Sequence, residues 1–364
     1  MELIPKLRIG ELVSNLPIIQ GAMGVYVSRH PLPGAVIKEG GIGTVSSICF
    51  LAHARNFVEL ANEALTKEIR ACKEGGVAGA PLAVNVMEVL GNALELIKTA
   101  VAEKIRMLVV GAGLWIDLPR HVEDPGVALV PMFGNVRAAG LVLRNWDRKY
   151  GRIPSAVIVE GPLAGGHLGH SLADLADPTN VCLERILPAV LRVIEPYEQK
   201  YGIKIPVIAA GGVHDGHDIA RMLRLGASGV QMATNFVVCD ECSVHPNFKR
   251  MYLDCSEEDL QIIKSPVGMP GRAINNPFLR GMATGVATKV VCPFHCLKSC
   301  KREQALYCIA ERLLMAYNGD VTNGLVFAGA KAHLLKQTTT VRGLFRDLLD
   351  DLRQEGFVPS VQLT

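Results

Sequence analysis

The chain has 364 residues, 49% hydrophobic and 20% charged, which allows one large core with material left over for an insertion. Its net charge is only +3, with Lys and Arg scattered rather than striped, so nucleic acid is not an expected partner. No apolar run reaches the ~18 residues of a membrane helix, and the start of the chain has no apolar signal core, so a cytoplasmic protein without a membrane partner is expected; there its ten cysteines suit metal, redox or core roles better than a disulfide framework.

In chain order, Pro17 to Gly24 reads as a short apolar strand entering a glycine-rich loop. A helix over Pro31 to Glu39 and a strand over Gly41 to Val45 follow, then a helical stretch from about residue 52 to 73. Leu82 to Val86 is the third strand, with a helix over Glu88 to Ala102 behind it. Met107 to Val110 and Val127 to Val130 are the fourth and fifth strands, and Asn135 to Tyr150 the next helix. Ala156 to Val159 is the sixth strand, Pro206 to Ala210 the seventh and Gly229 to Met232 the eighth, with helices over Leu183 to Tyr201 and His217 to Leu225 between them. Alternating strands and helices imply parallel pairing through right-handed crossovers. Eight such units fit a (β/α)8 TIM barrel, an α/β fold, better than an open sheet.

The stretch Glu160 to His170 sets four glycines around His167 just past the sixth strand. Glycine lets the backbone approach a ligand closely, and a histidine on such a loop is placed for proton transfer near neutral pH. The plainer alternative is a turn with a solvated histidine. Gln20, Asn85, Glu160, His167, Gly211, Gly212 and Thr234 all fall at strand C-terminal ends, the face where barrels of this type build their sites. Loops after strands seven and eight, here Ala210 to Val213 and Met232-Ala233-Thr234, are the usual phosphate site of this barrel. A phosphate-bearing cofactor is the physical implication.

The alternation stops after residue 238. Residues 1–238 are expected to be the barrel, 239–318 a mainly helical lid over its mouth, and 319–364 helical returns over Leu325 to Lys336 and Val341 to Arg353. Ser265 to Ala273, rich in Gly and Pro with Arg272, suits a lid or substrate loop.

Taken together, Pro17 to Met23, Val84-Asn85, Glu160 to Gly169, Ala209 to Val213, Gly229 to Thr234 and Ser265 to Ala273 resemble the nitronate monooxygenase (2-nitropropane dioxygenase) family, which includes flavin-dependent enoyl-acyl-carrier-protein reductases. The resemblance implies FMN in the barrel mouth. It puts the loop of Gln20, Ala22 and Met23 near the flavin, with Glu160, Gly165 and Gly166 beside it. It has Asn85, Gln231 and Met232 at the ring, and Gly211, Gly212, Ala233 and Thr234 around the phosphate. It also implies His167 as the catalytic acid/base. Three features depart from the family pattern: a longer link over Asn145 to Pro154, Ala328 where a Gln is expected near the flavin, and a cysteine cluster.

That cluster, Cys292, Cys296, Cys300 and Cys308, has C-x3-C-x3-C-x7-C spacing. Closely spaced thiols suit a [4Fe–4S] cluster; zinc with His295 is an alternative, and a buried helix stripe at i, i+4, i+8 is the plain one. The Cys239–Cys242 pair reads as structural, with a redox pair as the alternative. Two functions follow: an FMN oxidoreductase of nitronate monooxygenase type using O₂, or an NAD(P)H-dependent reductase of an activated alkene or acyl thioester with the Fe–S centre. A barrel binding a phosphorylated metabolite without redox chemistry is the third reading. A homodimer is an open expectation.

Overall fold

The computed structural model describes residues 2–48, 57–77, 79–284, 290, 292, 296–298 and 300–359. Eight strands form one parallel sheet: β1 (Ile18–Gln20), β2 (Gly43–Ser46), β3 (Leu82–Met87), β4 (Met107–Gly111), β5 (Ala128–Phe133), β6 (Val157–Glu160), β7 (Val207–Ala210) and β8 (Gly229–Met232). β8 pairs with β1 in parallel, and β1 meets β2 through Gln20 N–H to the Ile42 carbonyl and Ile42 N–H to the Ile18 carbonyl, 2.9 Å each, so the sheet closes into a TIM barrel.

The apolar runs in these strands are continuous because both faces are buried. Side chains alternate across the strand. Ile158 and Ile208 point into the barrel interior with Ile19, Val109 and Val130. Val157, Val159, Val207 and Ala209 point outward onto the helices. Helix Leu183–Tyr201 meets them with Leu187, Val190 and Ile194, an i, i+3, i+7 stripe. Helix Val136–Tyr150 begins where Asn135 accepts a hydrogen bond from the Ala138 N–H and ends where Gly151 turns left-handed at φ 57°.

Beside helices Pro246–Asp254, Pro277–Ala283 and Ile309–Tyr317, the segment after β8 also carries an antiparallel hairpin, Leu260–Lys264 with Pro270–Ile274. Strand Gly166–His167 joins that hairpin edge-on, so the loop after β6 is built into the roof. Leu325 to Lys336 is not a helix; it holds only the 3₁₀ turn Ala332–Leu334. Gly324 and Gly329 sit there because backbone and side chains press on them: an added Cβ would lie 2.4 Å from the Ala316 nitrogen or 2.7 Å from Thr234 Oγ1. Helix Val341–Gln354 is present and packs on helix Gly216–Arg224. The start of the long second helix, residues 52–56, lies outside the described residues; the described part is Phe57–Cys72. No described helix is long and apolar enough to cross a membrane.

Candidate active site

Register puts the chemistry at one rim. Glu160 at the end of β6 lies beside Ala210 at the end of β7, and Ala210 beside Gln231 of β8. Above that rim is a cavity of about 550 Å³, within the size range of cofactor and small-molecule sites. Of the residues expected at the site, Ala22, Met23, Asn85, Glu160, Gly165, Gly166, His167, Gly211, Gly212, Gln231, Met232, Ala233 and Thr234 all line it.

Gln20 does not, and that expectation is corrected. Its side chain is fully buried and spent on the backbone: the amide nitrogen donates to the Gly21 carbonyl (2.6 Å) and Ser28 Oγ (2.8 Å), and Oε1 accepts from the Thr44 N–H (3.0 Å). It braces the Ala22–Met23 loop from below instead of facing a ligand. Asn85 keeps its place in the wall while its Nδ2 donates to the Val109 carbonyl at 3.2 Å.

The end of the cavity over β7 and β8 is a backbone cradle. Gly211 and Gly212 adopt φ +85° and +90°; a Cβ would lie 2.8 Å from the Gly161 oxygen at the first and 2.9 Å from Leu163 Cβ at the second. Only glycine takes this shape without strain. Among the described lining residues, Lys331 carries the one Lys or Arg charge. Its Nζ is held 2.5 Å from Asp218 Oδ2, and Asp218 also takes Arg221 at 2.7 Å and the His214 N–H at 2.9 Å. Backbone amides plus one anchored cation suit a phosphate group, so the residues present fit the nucleotide end of FMN. Lys331 was missed in the sequence; the turn at Gly329 beside it was the available signal. His214, read as a loop or helix-start residue, lines the cavity.

The opposite wall holds the proton chemistry. His167 Nε2 lies 2.8 Å from Ser265 Oγ, across the hairpin turn, and its ring meets the Phe327 edge at 5.0 Å. Among the described residues Nδ1 has no hydrogen-bond partner. Burial pushes the imidazole down to about 4, so it is neutral at physiological pH. Arg272, expected in a lid or substrate loop, is buried; its Nη1 donates to the Pro162 and Ala164 carbonyls, both at 2.7 Å, and ties the hairpin to the His167 loop. Burial pushes the Glu160 carboxyl up to about 8, opposed by the Gly169 N–H, so it holds its proton at pH 7. His170 is buried with Nε2 2.9 Å from the Glu160 carbonyl, and His217 pairs with Glu355 on the outer surface; neither lines the cavity.

The cysteines divide into two groups. Cys239 and Cys242 are buried in the core with free thiols, and burial raises both, Cys242 to about 11. This supports the structural reading over a redox pair. Cys292, Cys296, Cys300 and Cys308 line a second cavity of about 190 Å³. The helix-stripe expectation for this segment does not hold for the described residues, since Cys292, Cys296 and Cys300 are all outside helices. His295, offered for zinc, lies outside the described residues. Among the described residues no three His, Cys, Asp or Glu side chains converge as ligands of one ion. Lys298 is ion-paired with Glu88 at 2.7 Å.

The nitronate monooxygenase family profile matches residues 97–351. A Rhodococcus jostii (strain RHA1) protein named (3aS,4S,5R,7aS)-5-hydroxy-7a-methyl-1-oxo-octahydro-1H-indene-4-carboxyl-CoA dehydrogenase is 27% identical over 266 residues, 73% of this chain but only 64% of that protein. A probable nitronate monooxygenase of Bacillus subtilis (strain 168) is 26% identical over 298 residues, covering 72% of this chain and 77% of its own length. The solved structure of FabK from Thermotoga maritima matches with a TM-score of 0.73 at 26% identity, over 94% of both chains.

Proposed function

Because the chain belongs to the nitronate monooxygenase family, we propose that it is an FMN-dependent oxidoreductase in which His167 is the acid/base. The observation that carries the reading is the shared cavity: a glycine cradle with Lys331 at one end and a neutral imidazole at the other. FMN, when bound, supplies the group that accepts or donates electrons. Gly211, Gly212, Ala233 and Thr234 would hold its phosphate, with Lys331 offsetting charge. Asn85, Gln231, Ala22 and Met23 would bound the ring, and Gly165 and Gly166 would let the loop after β6 come close.

His167 then takes the proton from the carbon next to a nitro group. The C–H bond breaks, the proton moves to the imidazole, and the electron pair stays on the substrate as the nitronate. Ser265 fixes the ring through Nε2, which leaves Nδ1 for the substrate. The neutral state at pH 7 is the one a base needs. O₂ is the final oxidant in this reading.

A second reading is an NAD(P)H-dependent reductase of an activated alkene or acyl thioester, with His167 returning a proton to the α-carbon. The lining favours it in one respect. Met132, Val267, Met269, Ile309 and Leu313 give the walls a large apolar share, and among the described lining residues no Lys or Arg other than Lys331 faces an anionic nitronate. The Rhodococcus relative's name also points to a CoA thioester. A cytoplasmic setting belongs to both readings.

Anaerobic stopped-flow spectroscopy tests the proposal. Purified protein shows a flavin spectrum, and a nitroalkane or its nitronate bleaches it. Bleaching by NADH or NADPH alone selects the reductase, and a protein free of flavin after reconstitution with FMN overturns both.

A further inference from the structure

We propose that Cys292, Cys296, Cys300 and Cys308 hold a [4Fe–4S] cluster in the cavity of about 190 Å³ that they line. The flavin chemistry above uses none of these thiols as acid, base or ligand, yet the fold brings all four to one enclosed space from two separate places. Cys292, Cys296 and Cys300 themselves lie outside helices, and Cys308 is the N-cap residue of helix Ile309–Tyr317, where its side chain makes no capping bond. The segment is pinned there by backbone bonds from the Gly91 N–H to the Cys296 carbonyl and from the Lys298 N–H to the Val89 carbonyl, 2.9 Å each, so the loop after β3 fixes the thiols from below.

The chemistry of the donor set narrows the occupant. Four soft thiolates select zinc or iron–sulfur centres over hard cations. Zinc usually takes its cysteines as two pairs set well apart, whereas three closely spaced cysteines followed by a fourth resemble iron–sulfur ligation. A cubane presents a separate iron to each thiolate, so it needs the four spread around a volume. The rest of the lining includes Pro266, Val290, Leu297, Tyr307 and Ile309. Among the described residues the one Lys or Arg of that lining, Lys298, is held by Glu88. The positive end of helix Ile309–Tyr317 favours the net negative charge of a thiolate-bound cluster at Cys308.

Position adds a consequence. Cys296, Leu297 and Ile309 line both this cavity and the larger one, so the partition between them is a single layer of side chains. A cluster here adjoins the space assigned to the flavin. The site itself rests on the thiols alone and not on the flavin reading.

Iron and acid-labile sulfide are measured on protein purified anaerobically, or reconstituted with ferrous iron and sulfide, together with the EPR spectrum after dithionite reduction. The expected result is roughly four iron and four sulfide per chain with a spectrum of a reduced cluster. Cys300→Ser, at a half-buried thiol that does not line the larger cavity, loses most of that iron and sulfide while its circular dichroism is unaltered. Absence of iron and sulfide, a single zinc per chain, or a Cys300→Ser protein that keeps its full iron and sulfide would overturn the assignment. If that variant does not fold, the wild-type metal and sulfide content decides alone. Iron and sulfide without FMN leaves this site standing and removes the function proposed above; FMN without them does the reverse.

Discussion

The two ends of the large cavity are made of different material. Over β7 and β8 the wall is backbone, shaped by Gly211 and Gly212 at positive φ and closed by one tethered lysine. Across the mouth the wall is side chains where the loop after β6 meets the hairpin: His167 of the loop, Ser265 of the hairpin, Phe327 beside them and, behind them, Arg272. A backbone wall suits what its ligands share, such as a phosphate. A side-chain wall shared with an insertion suits discrimination among substrates. The comparison teaches that the cradle and His167 stand at different strand ends, so each can be broken without the other.

The sharpest break is His167→Ala. Turnover is expected to fall roughly 10²–10⁴-fold while FMN content holds, because a general acid–base group is removed and the cradle is untouched. Steady-state rates beside a flavin spectrum check this; near-normal turnover places the proton chemistry elsewhere. Arg272→Ala comes next. It frees two buried carbonyls from a charged donor, at about 1.5–3 kcal/mol per bond, so the melting temperature drops by several degrees and turnover falls with it; thermal unfolding and rate assays read both.

At the other end, Gly212→Ala forces an alanine to φ +90° and its Cβ to within 2.9 Å of Leu163. The left-handed penalty alone is about 1–2 kcal/mol, so FMN affinity weakens about tenfold while the FMN-saturated enzyme keeps most of its rate; fluorescence titration measures the shift. Ser265→Ala removes one bond to His167, worth about 1 kcal/mol, and should lower turnover several-fold with FMN affinity unmoved. The smallest test is pH. His167, held down to about 4, is active only above that value, so activity falls as pH drops through it. Glu160, held up to about 8, keeps its proton below that value; if the proton is used, activity also falls above pH 8. A rate profile in which Glu160→Gln removes the alkaline limb and leaves the acid limb assigns both.

Much of this was legible in the chain because strand ends are local facts. Apolar runs of four to six residues, each closed by a polar or glycine residue, fixed the barrel rim, and thirteen of the residues read as candidates for cofactor or catalysis line the cavity. Gln20 was misread because its side chain's direction depends on where Ser28 and Thr44 return in space. Arg272 was read only as part of a lid or substrate loop, because the two carbonyls of the β6 loop that meet its Nη1 are far away in the chain. Lys331 gave no periodic signal at all.

The sequence by itself determined the eight strands, the glycine turns after the seventh and eighth, and the loop that carries His167. These depend on propensity and period, which neighbours in the chain settle. Only the tertiary structure decided which nitrogen of His167 is occupied, that Gln20 is a brace, and that four cysteines share a space one side-chain layer from the main cavity. Such facts depend on contacts between residues tens to hundreds of positions apart, and folding alone brings those together.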